Sequence, residues 1–379
     1  MSTSRLLPQP LLNWLQQHAD ALDQGQGPAD ELVPRLGQAG LLRLGVPSAL
    51  GGSDGTIGDA IEAIAQVAEH SLTAAFVFWG QRTFIDYVVN GESPALRERW
   101  LPTLLTGELA GATGLSNAMK FLSQIEQLQI QAKPNTDTEQ PSGLRLDGGL
   151  PWVTNLQPQG FVVAAAVDMG PGQPPAVVAI ESGRTGLQRT PDLGLVALRD
   201  SRTAALKLKD VVLPADQVLA RNGPDYLRRI RPHFLGMQCG MSIGLARAAL
   251  AASRAACGPR TSLQAPLQAL EQDLAQATAA LQAGVASGQY ASQAAPLFEL
   301  RIALAGLVQT AVQLELQATG GRAYLQGQAP GFARRWLEAA FVPVVTPSLT
   351  QLQAELARQR AQAAPSAPSG QLAPAVATA

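Results

Sequence analysis

An α+β fold is what this sequence predicts: an N-terminal helical domain, a small antiparallel β domain and a C-terminal four-helix bundle. Three observations predict it. Apolar residues recur at spacings of three and four from about residue 10 to about residue 130, and the pattern shortens to alternating and β-branched runs between 143 and 213. The helical period then returns from Pro224 onward. With 379 residues the chain can bury an extensive core, so it needs neither a metal nor a disulfide to fold.

The first stretch carries Leu11, Leu12 and Leu15, then Leu32, Leu36, Leu41 and Leu42, then Ile57, Ile61, Ile64 and Val67. Between these runs, Pro47 to Gly52 forms a loop whose paired glycines bring backbone close to something flat or tightly packed. Leu96 to Leu109 predicts a further helix, with Pro102 near its start or at a kink and Gly107 near its end. In the middle, Leu144 to Leu146, Phe161 to Val167, Ala176 to Ile180 and Leu206 to Val212 read as strands. Pro134 to Ser142 and Gly170 to Pro175 are the turns between them. In the last stretch, Leu263, Leu267, Leu270, Leu274 and Leu281 form an apolar seam beside a polar strip of Gln264, Gln268, Gln272 and Gln276. Gly240, Gly244 and Ala248 lie four apart, so that helix can approach a neighbour closely, and Ile302 to Leu314 gives another long helix. The expected domains are residues 1–112, 113–220 and 221–360, followed by a disordered tail, 361–379, that lacks charge and is rich in proline and alanine.

The segment Leu150-Pro151-Trp152-Val153-Thr154-Asn155 puts an indole and a hydroxyl on alternate positions of a short strand. Strict alternation sends Val153 to one face and Trp152 and Thr154 to the other, about 7 Å apart. That surface suits a flat cofactor, and equally suits ordinary packing of Trp152.

A formal charge of −1 and scattered basic residues give no electrostatic footprint for nucleic acid. Two cysteines, Cys239 and Cys257, lie in apolar helical surroundings, and His18, His70 and His233 are too far apart to form a zinc motif. Residues 1–30 lack the long apolar run of a signal peptide, and no uninterrupted apolar stretch reaches membrane-spanning length, so a soluble cytoplasmic protein is expected.

The order helices, small β domain, helical bundle is uncommon, and with five local stretches it resembles the acyl-CoA dehydrogenase family. These are Leu42 to Pro47 with Gly51-Gly52; Leu101-Pro102 through Leu105 with Gly107-Glu108-Leu109; Trp152 to Asn155; Leu193-Gly194-Leu195 through Ser201 with Val211 to Pro214; and Gln317-Ala318-Thr319-Gly320-Gly321. Together they cover roughly residues 30 to 350. The resemblance implies FAD between the β domain and the bundle, its adenine end reaching a second subunit of a homodimer or homotetramer. It implies that Trp152 covers the isoalloxazine face and that the Thr154 hydroxyl reaches the N5 edge, where a donor stabilises the charge of reduced flavin. Leu115 and Ser116 match the loop on the pyrimidine side. Gln317, Gly320 and Gly321 match the stretch near the adenine or pyrophosphate end, where glycines let a phosphate pass close to backbone.

Three departures qualify what the resemblance implies. After Ser116 the chain reads Asn117 to Ser123, residues suited to a helix where the family has a tight glycine-rich turn, and Lys120 there is either a phosphate contact or a solvated charge. The family's arginine-phenylalanine-glycine grip on the FAD phosphates reduces to Arg254 through Arg260, leaving Arg260 as the candidate phosphate contact. Most consequentially, the glutamate that abstracts the proton alpha to the thioester falls at Val345 or Thr346, before Pro347. The other family location for that base, on the first bundle helix, is the basic stretch Tyr226 to His233. Asp225 there is expected to cap the helix, and Glu315 and Glu338 to be solvated or paired.

Three functions therefore stand open. One is α,β-oxidation of an acyl thioester with FAD as hydride acceptor, for which acyl-CoA or another small apolar molecule is the substrate. Another is a flavin-dependent monooxygenase taking FAD, FMN or reduced flavin as co-substrate, with His233 as the candidate proton donor. The last is a ligand-binding or assembly protein without catalysis.

Overall fold

The computed structural model describes residues 6–122, 126–136 and 143–363. Five helices form the N-terminal part: α1 Gln9–Gln24, α2 Ala29–Gln38, α3 Ile57–Ala68, α4 Leu72–Asn90 and α5 Pro94–Thr106. Helix α1 buries Leu11, Leu12, Leu15 and Leu22 and stops at Gly25, whose φ of +77° places the last turn in the left-handed region. Helix α5 starts where the Ser93 hydroxyl accepts the Leu96 amide at 3.3 Å and ends at Gly107, with Pro102 inside it. Helix α4 is buried on every side from Leu72 to Val88, which is why it shows no apolar stripe. The Pro47 to Gly52 loop folds on itself: a side chain at Gly52 would lie 1.9 Å from the Val46 carbonyl.

The β part begins earlier than the sequence suggests. Strand β1 (Ala110–Thr113) lies within the stretch read as helical, because Ala-Gly-Ala-Thr is too short and too small in its side chains to display a period. After α6 (Ser116–Leu122) come β2 Ile130–Pro134, β3 Leu144–Val153, β4 Phe161–Val167, β5 Ala176–Glu181, β6 Leu187–Arg189, β7 Ala204–Leu213 and β8 Val218–Ala220. They form two four-stranded sheets, ordered β1-β4-β5-β8 and β2-β3-β7-β6. The pairing within them is antiparallel except between β1 and β4, which run parallel. Strand β4 is buried on both faces: Val163 and Ala165 pack against the second sheet, while Val162, Ala164 and Ala166 join the helical core. A continuous apolar run is what such a strand requires.

The C-terminal part comprises α7 Gly223–Cys257, α8 Gln264–Ala286, the single turn α9 Gln289–Ser292, α10 Ala295–Thr319, α11 Phe332–Phe341 and α12 Leu349–Ala363. Helices α7, α8 and α10 pack mutually and α12 lies on α10. Leu267, Leu270, Leu274 and Leu281 form the buried seam of α8, as the spacing predicts. The small residues of α7 meet α3: a side chain on Gly240 would come within 2.6 Å of the Ile61 carbonyl, and one on Gly244 within 2.0 Å of the Ala65 carbonyl.

Three expectations need correction or restriction. Asn222, not Asp225, caps α7; its side chain accepts the Asp225 amide at 3.2 Å, and Asp225 sits inside the first turn, paired with Arg228. By length and composition α7 and the segment Ala295–Tyr324 are apolar enough to cross a membrane. A search for uninterrupted runs misses them, because small and polar residues intervene. Both pack in the bundle, with 83% and 50% of their most apolar windows buried. Finally, residues 361–363 end α12, and the expected tail from 364 lies outside the described residues.

Candidate functional site

The wall at the end of β3 follows from a proline. Leu150 pairs with Leu206 and Val153 with Ala204, so Pro151 and Trp152 together oppose the single residue Ala205. Proline has no amide to donate to the ladder, and a bulge accommodates it. The bulge replaces strict alternation: Leu150 and Val153 both point into the core between the sheets, and Trp152 stands 59% exposed on the outside. Packing does not account for Trp152 in this chain.

Thr154, one residue past the end of β3, is 5% exposed. Its hydroxyl lies 2.8 Å from that of Thr203, which lies 2.7 Å from that of Ser201. Three hydroxyls carry three protons, and two hydrogen bonds consume two of them. If the chain runs from Ser201 to Thr154, the proton left over is that of Thr154. Ser201 belonged to a recognised stretch, but Thr203 gave no signal, because only the fold brings residue 203 to residue 154. Asn155, with φ of +64°, anchors the turn: its side-chain Nδ2 donates to Gln81 Oε1 at 3.0 Å and to the Gly111 carbonyl at 2.9 Å. Gln81 in turn accepts the Gly111 amide at 2.6 Å. Helix α4 thus locks the ends of β1 and β3, and a side chain at Gly80 would meet Thr154 at 4.0 Å.

Leu115 is fully buried and Ser116 half-buried at the start of α6. Gly114 just before them packs where a side chain would lie 2.6 Å from Leu150, so this loop adjoins the Trp152 strand. The run after Ser116 is helical, as its composition suggests. Lys120, 31% exposed at its side chain, pairs with Glu126 at 2.5 Å, and that hydrogen bond holds Glu126 below the usual carboxylate range.

A second group converges at the C-terminal end of α10. Arg260 donates to the Ala318 carbonyl and, at 3.3 Å, to that of Ala256, which brings it beside Gln317, Gly320 and Gly321. Gly320 has φ of +65° and ψ of −151°, a conformation that side chains exclude. Arg260, Gln317 and Gly321 are exposed, and within the chain this group shares no hydrogen bond with the Trp152 group among the described residues.

At the position corresponding to the glutamate base, Val345 is buried and the Thr346 carbonyl accepts from Gln238 Nε2 at 2.9 Å. The two nearby acids are committed elsewhere. Glu315 pairs with Arg335, and Glu338, fully buried, pairs with Arg334 at 2.8 Å and accepts the Leu72 amide at 3.0 Å. Between α4, α7 and α11 the aromatic rings of Phe76, Trp79, Phe234 and Phe341 fill the interior, with centroids 4.9 to 5.6 Å apart. His233 places Nδ1 3.1 Å from both Asp86 oxygens. Burial pulls its pKa down most strongly, but the hydrogen bond and charge of Asp86 together outweigh that and leave it above the ordinary value.

The structure therefore leaves Trp152 as an exposed flat face, buries Thr154 against Thr203 instead of sharing that face as alternation predicts, and has no carboxylate at 345 or 346. Comparison with known proteins agrees with its architecture. The model of the family "Acyl-CoA dehydrogenase, N-terminal domain" matches residues 12–108. Isovaleryl-CoA dehydrogenase, mitochondrial, from Oryza sativa subsp. japonica is 28% identical over 141 residues, 37% of this chain and 33% of that protein, so the match spans about a third of the relative's length. Among solved structures, the glutaryl-coenzyme A dehydrogenase glutaryl-CoA complex superposes with a TM-score of 0.78 at 17% identity, covering 96% of this chain and 97% of that one. The FAD complex of PigA superposes with a TM-score of 0.77 at 18% identity, covering 95% and 99%. The structures establish the shared fold, and the family model and the curated relatives show that part of the chain, residues 12–108 included, is similar in sequence to acyl-CoA dehydrogenases.

Proposed function

We propose that this chain is a flavin-dependent oxidoreductase that holds FAD with its ring system against Trp152. The observation that carries the reading is Trp152 itself: a large apolar side chain pushed out of the core by a bulge, next to a buried chain of three hydroxyls. An exposed indole gains most by covering a flat conjugated surface and excluding water from it. FAD supplies two-electron redox chemistry when bound. Thr154 would donate its remaining proton to the ring edge, with Thr203 and Ser201 orienting it; Leu115 and Ser116 would border the pyrimidine side. Arg260, Gln317, Gly320 and Gly321 would serve the phosphate or adenine end, across the interface of a dimer. Arg260 uses one Nη for two carbonyls, so its other donors remain for a phosphate.

The similarity to acyl-CoA dehydrogenases supports an acyl thioester as substrate and α,β-oxidation as reaction. That reaction needs a base facing the alpha carbon, and Val345 and Thr346 offer none. The missing base specifically favours a second reading, a monooxygenase that uses reduced flavin and oxygen.

Anaerobic titration of the FAD-reconstituted protein with a panel of acyl-CoA thioesters separates the two. Bleaching of the flavin absorbance by any thioester supports dehydrogenation. No bleaching, with oxygen-dependent product only when reduced flavin is supplied, supports the second. Trp152→Ala and Thr154→Val should each weaken flavin binding by about tenfold, and unchanged affinity in both would refute the site.

A further inference from the structure

Where the resemblance places a carboxylate, the chain buries a cation. Arg301, on α10, is 1% exposed. Its Nε donates to Gln238 Oε1 at 2.9 Å and its Nη2 to the Val342 carbonyl at 2.6 Å, both neutral acceptors. Its Nη1 is buried with no acceptor. The guanidinium borders a small space between Leu72, Met241, Phe341 and Val345, which leaves no room for a water molecule.

The two largely buried arginines of α11 have counter-ions: Arg334 has Glu338 and Asp20, and Arg335 has Glu315. No carboxylate among the described residues plays that part for Arg301. The nearby Cys239 thiol is pushed by burial up to about 12, so it is neutral and contributes no negative charge. An uncompensated buried charge is among the most costly features a core can hold, and a hydrophobic residue of similar size normally replaces it without loss. Persistence of such a charge in a buried, mostly apolar setting points to a missing anion.

We propose that Arg301 binds the carboxylate of a small apolar acid at the place where the superfamily resemblance puts the catalytic base. This deepens the flavoprotein reading and rests on it for the meaning of that place. The acid's carboxylate replaces the Val342 carbonyl as acceptor and takes up the idle Nη1, exchanging one neutral contact for a charge-assisted pair. Its apolar part lies against Leu72, Met241, Phe341 and Val345. Since the space has no room even for a water molecule, binding displaces the segment from Val342 to Thr346, which is held there through carbonyls facing Arg301 and Gln238.

The test is calorimetric titration of the full chain, without flavin, with hexanoate and with hexanamide, in wild type and in Arg301→Met. Wild type is expected to bind the acid at least about tenfold more tightly than the amide. Arg301→Met is expected to lose that preference while its unfolding midpoint stays level or rises. Equal binding of acid and amide by wild type, no binding of either, or a preference that survives in Arg301→Met overturns the proposal. If Arg301→Met does not fold, the wild-type comparison decides alone. Flavin titration of the same samples reads the Trp152 site separately, so flavin binding without acid preference removes this inference and leaves the flavoprotein reading standing.

Discussion

Among the buried charges of this chain, three arrangements bear on the site. Arg334 with Glu338 and Arg335 with Glu315 neutralise one another inside the bundle, whereas Arg82 and Arg301 satisfy part of a guanidinium with backbone or amide oxygen and leave the rest unpartnered. His233 and Asp86 form a third arrangement, a half-buried imidazole on a buried carboxylate that joins α7 to α4, with the Arg82 charge opposing the imidazolium. The folded-state pKa of His233 lies above its ordinary value, so the pair stabilises the fold fully below the unfolded pKa and loses that contribution as pH rises through the folded one. His233→Gln should therefore lower the thermal midpoint more at about pH 5.5 than at about pH 8.5. A midpoint difference that is equal at both pH values, or larger at the alkaline one, contradicts the assignment. His233 was identifiable as a candidate from its basic neighbours; its partner lies 147 residues earlier in the chain and carried no signal.

At the scale of elements, the close approach of α3 and α7 rests on Gly240 and Gly244, and this was legible because small residues four apart have only one face to occupy. Gly244→Ala would force a methyl to within 2.0 Å of the Ala65 carbonyl and 2.6 Å of the Ala68 methyl. Chemical denaturation should show a loss of about 3 kcal/mol, the upper range for overpacking. Gly306→Ala is the control: it lies on the exposed face of α10 with no atom near its missing side chain, and should gain about 0.5 kcal/mol through helix propensity. Equal effects of the two would show that the helices are not in contact there. The β elements were less legible in detail. Alternation alone cannot show that Pro151 induces a bulge, and the bulge is what turns Trp152 outward.

For the whole molecule, helix α1 acts as a tie between halves. Its Asp23 accepts the Leu198 amide at 2.8 Å, Asp200 accepts the Gly27 amide just beyond α1 at 2.7 Å, and Arg334 of α11 reaches Asp20 at 2.8 Å. The loop that carries Ser201 and Thr203 is thereby fixed to the helical part, and the hydroxyl chain with it. At the Gly320 end of the bundle, Tyr324 and Leu325 are exposed, and Trp336 and Leu337 of the adjoining α11 are partly so. Coverage of this apolar surface by a second copy would also bring Arg260 and Gln317 of one subunit to the flavin of the other. Sedimentation of wild type should then show a dimer or tetramer, and Tyr324→Lys with Trp336→Lys should shift it toward monomer and weaken flavin binding. A wild-type monomer with full flavin affinity would contradict a shared site.

The sequence by itself determined the fold class, the helical seams and the absence of a carboxylate at 345 and 346, because these follow from periodicity and residue identity along the chain. Only the tertiary structure decided which way Trp152 faces, that Thr203 and Ser201 continue the Thr154 hydroxyl, and that Arg301 stands uncompensated beside Val345. Those are matters of distance between residues far apart in sequence, set by how sheets and helices close on one another. No local pattern encodes them.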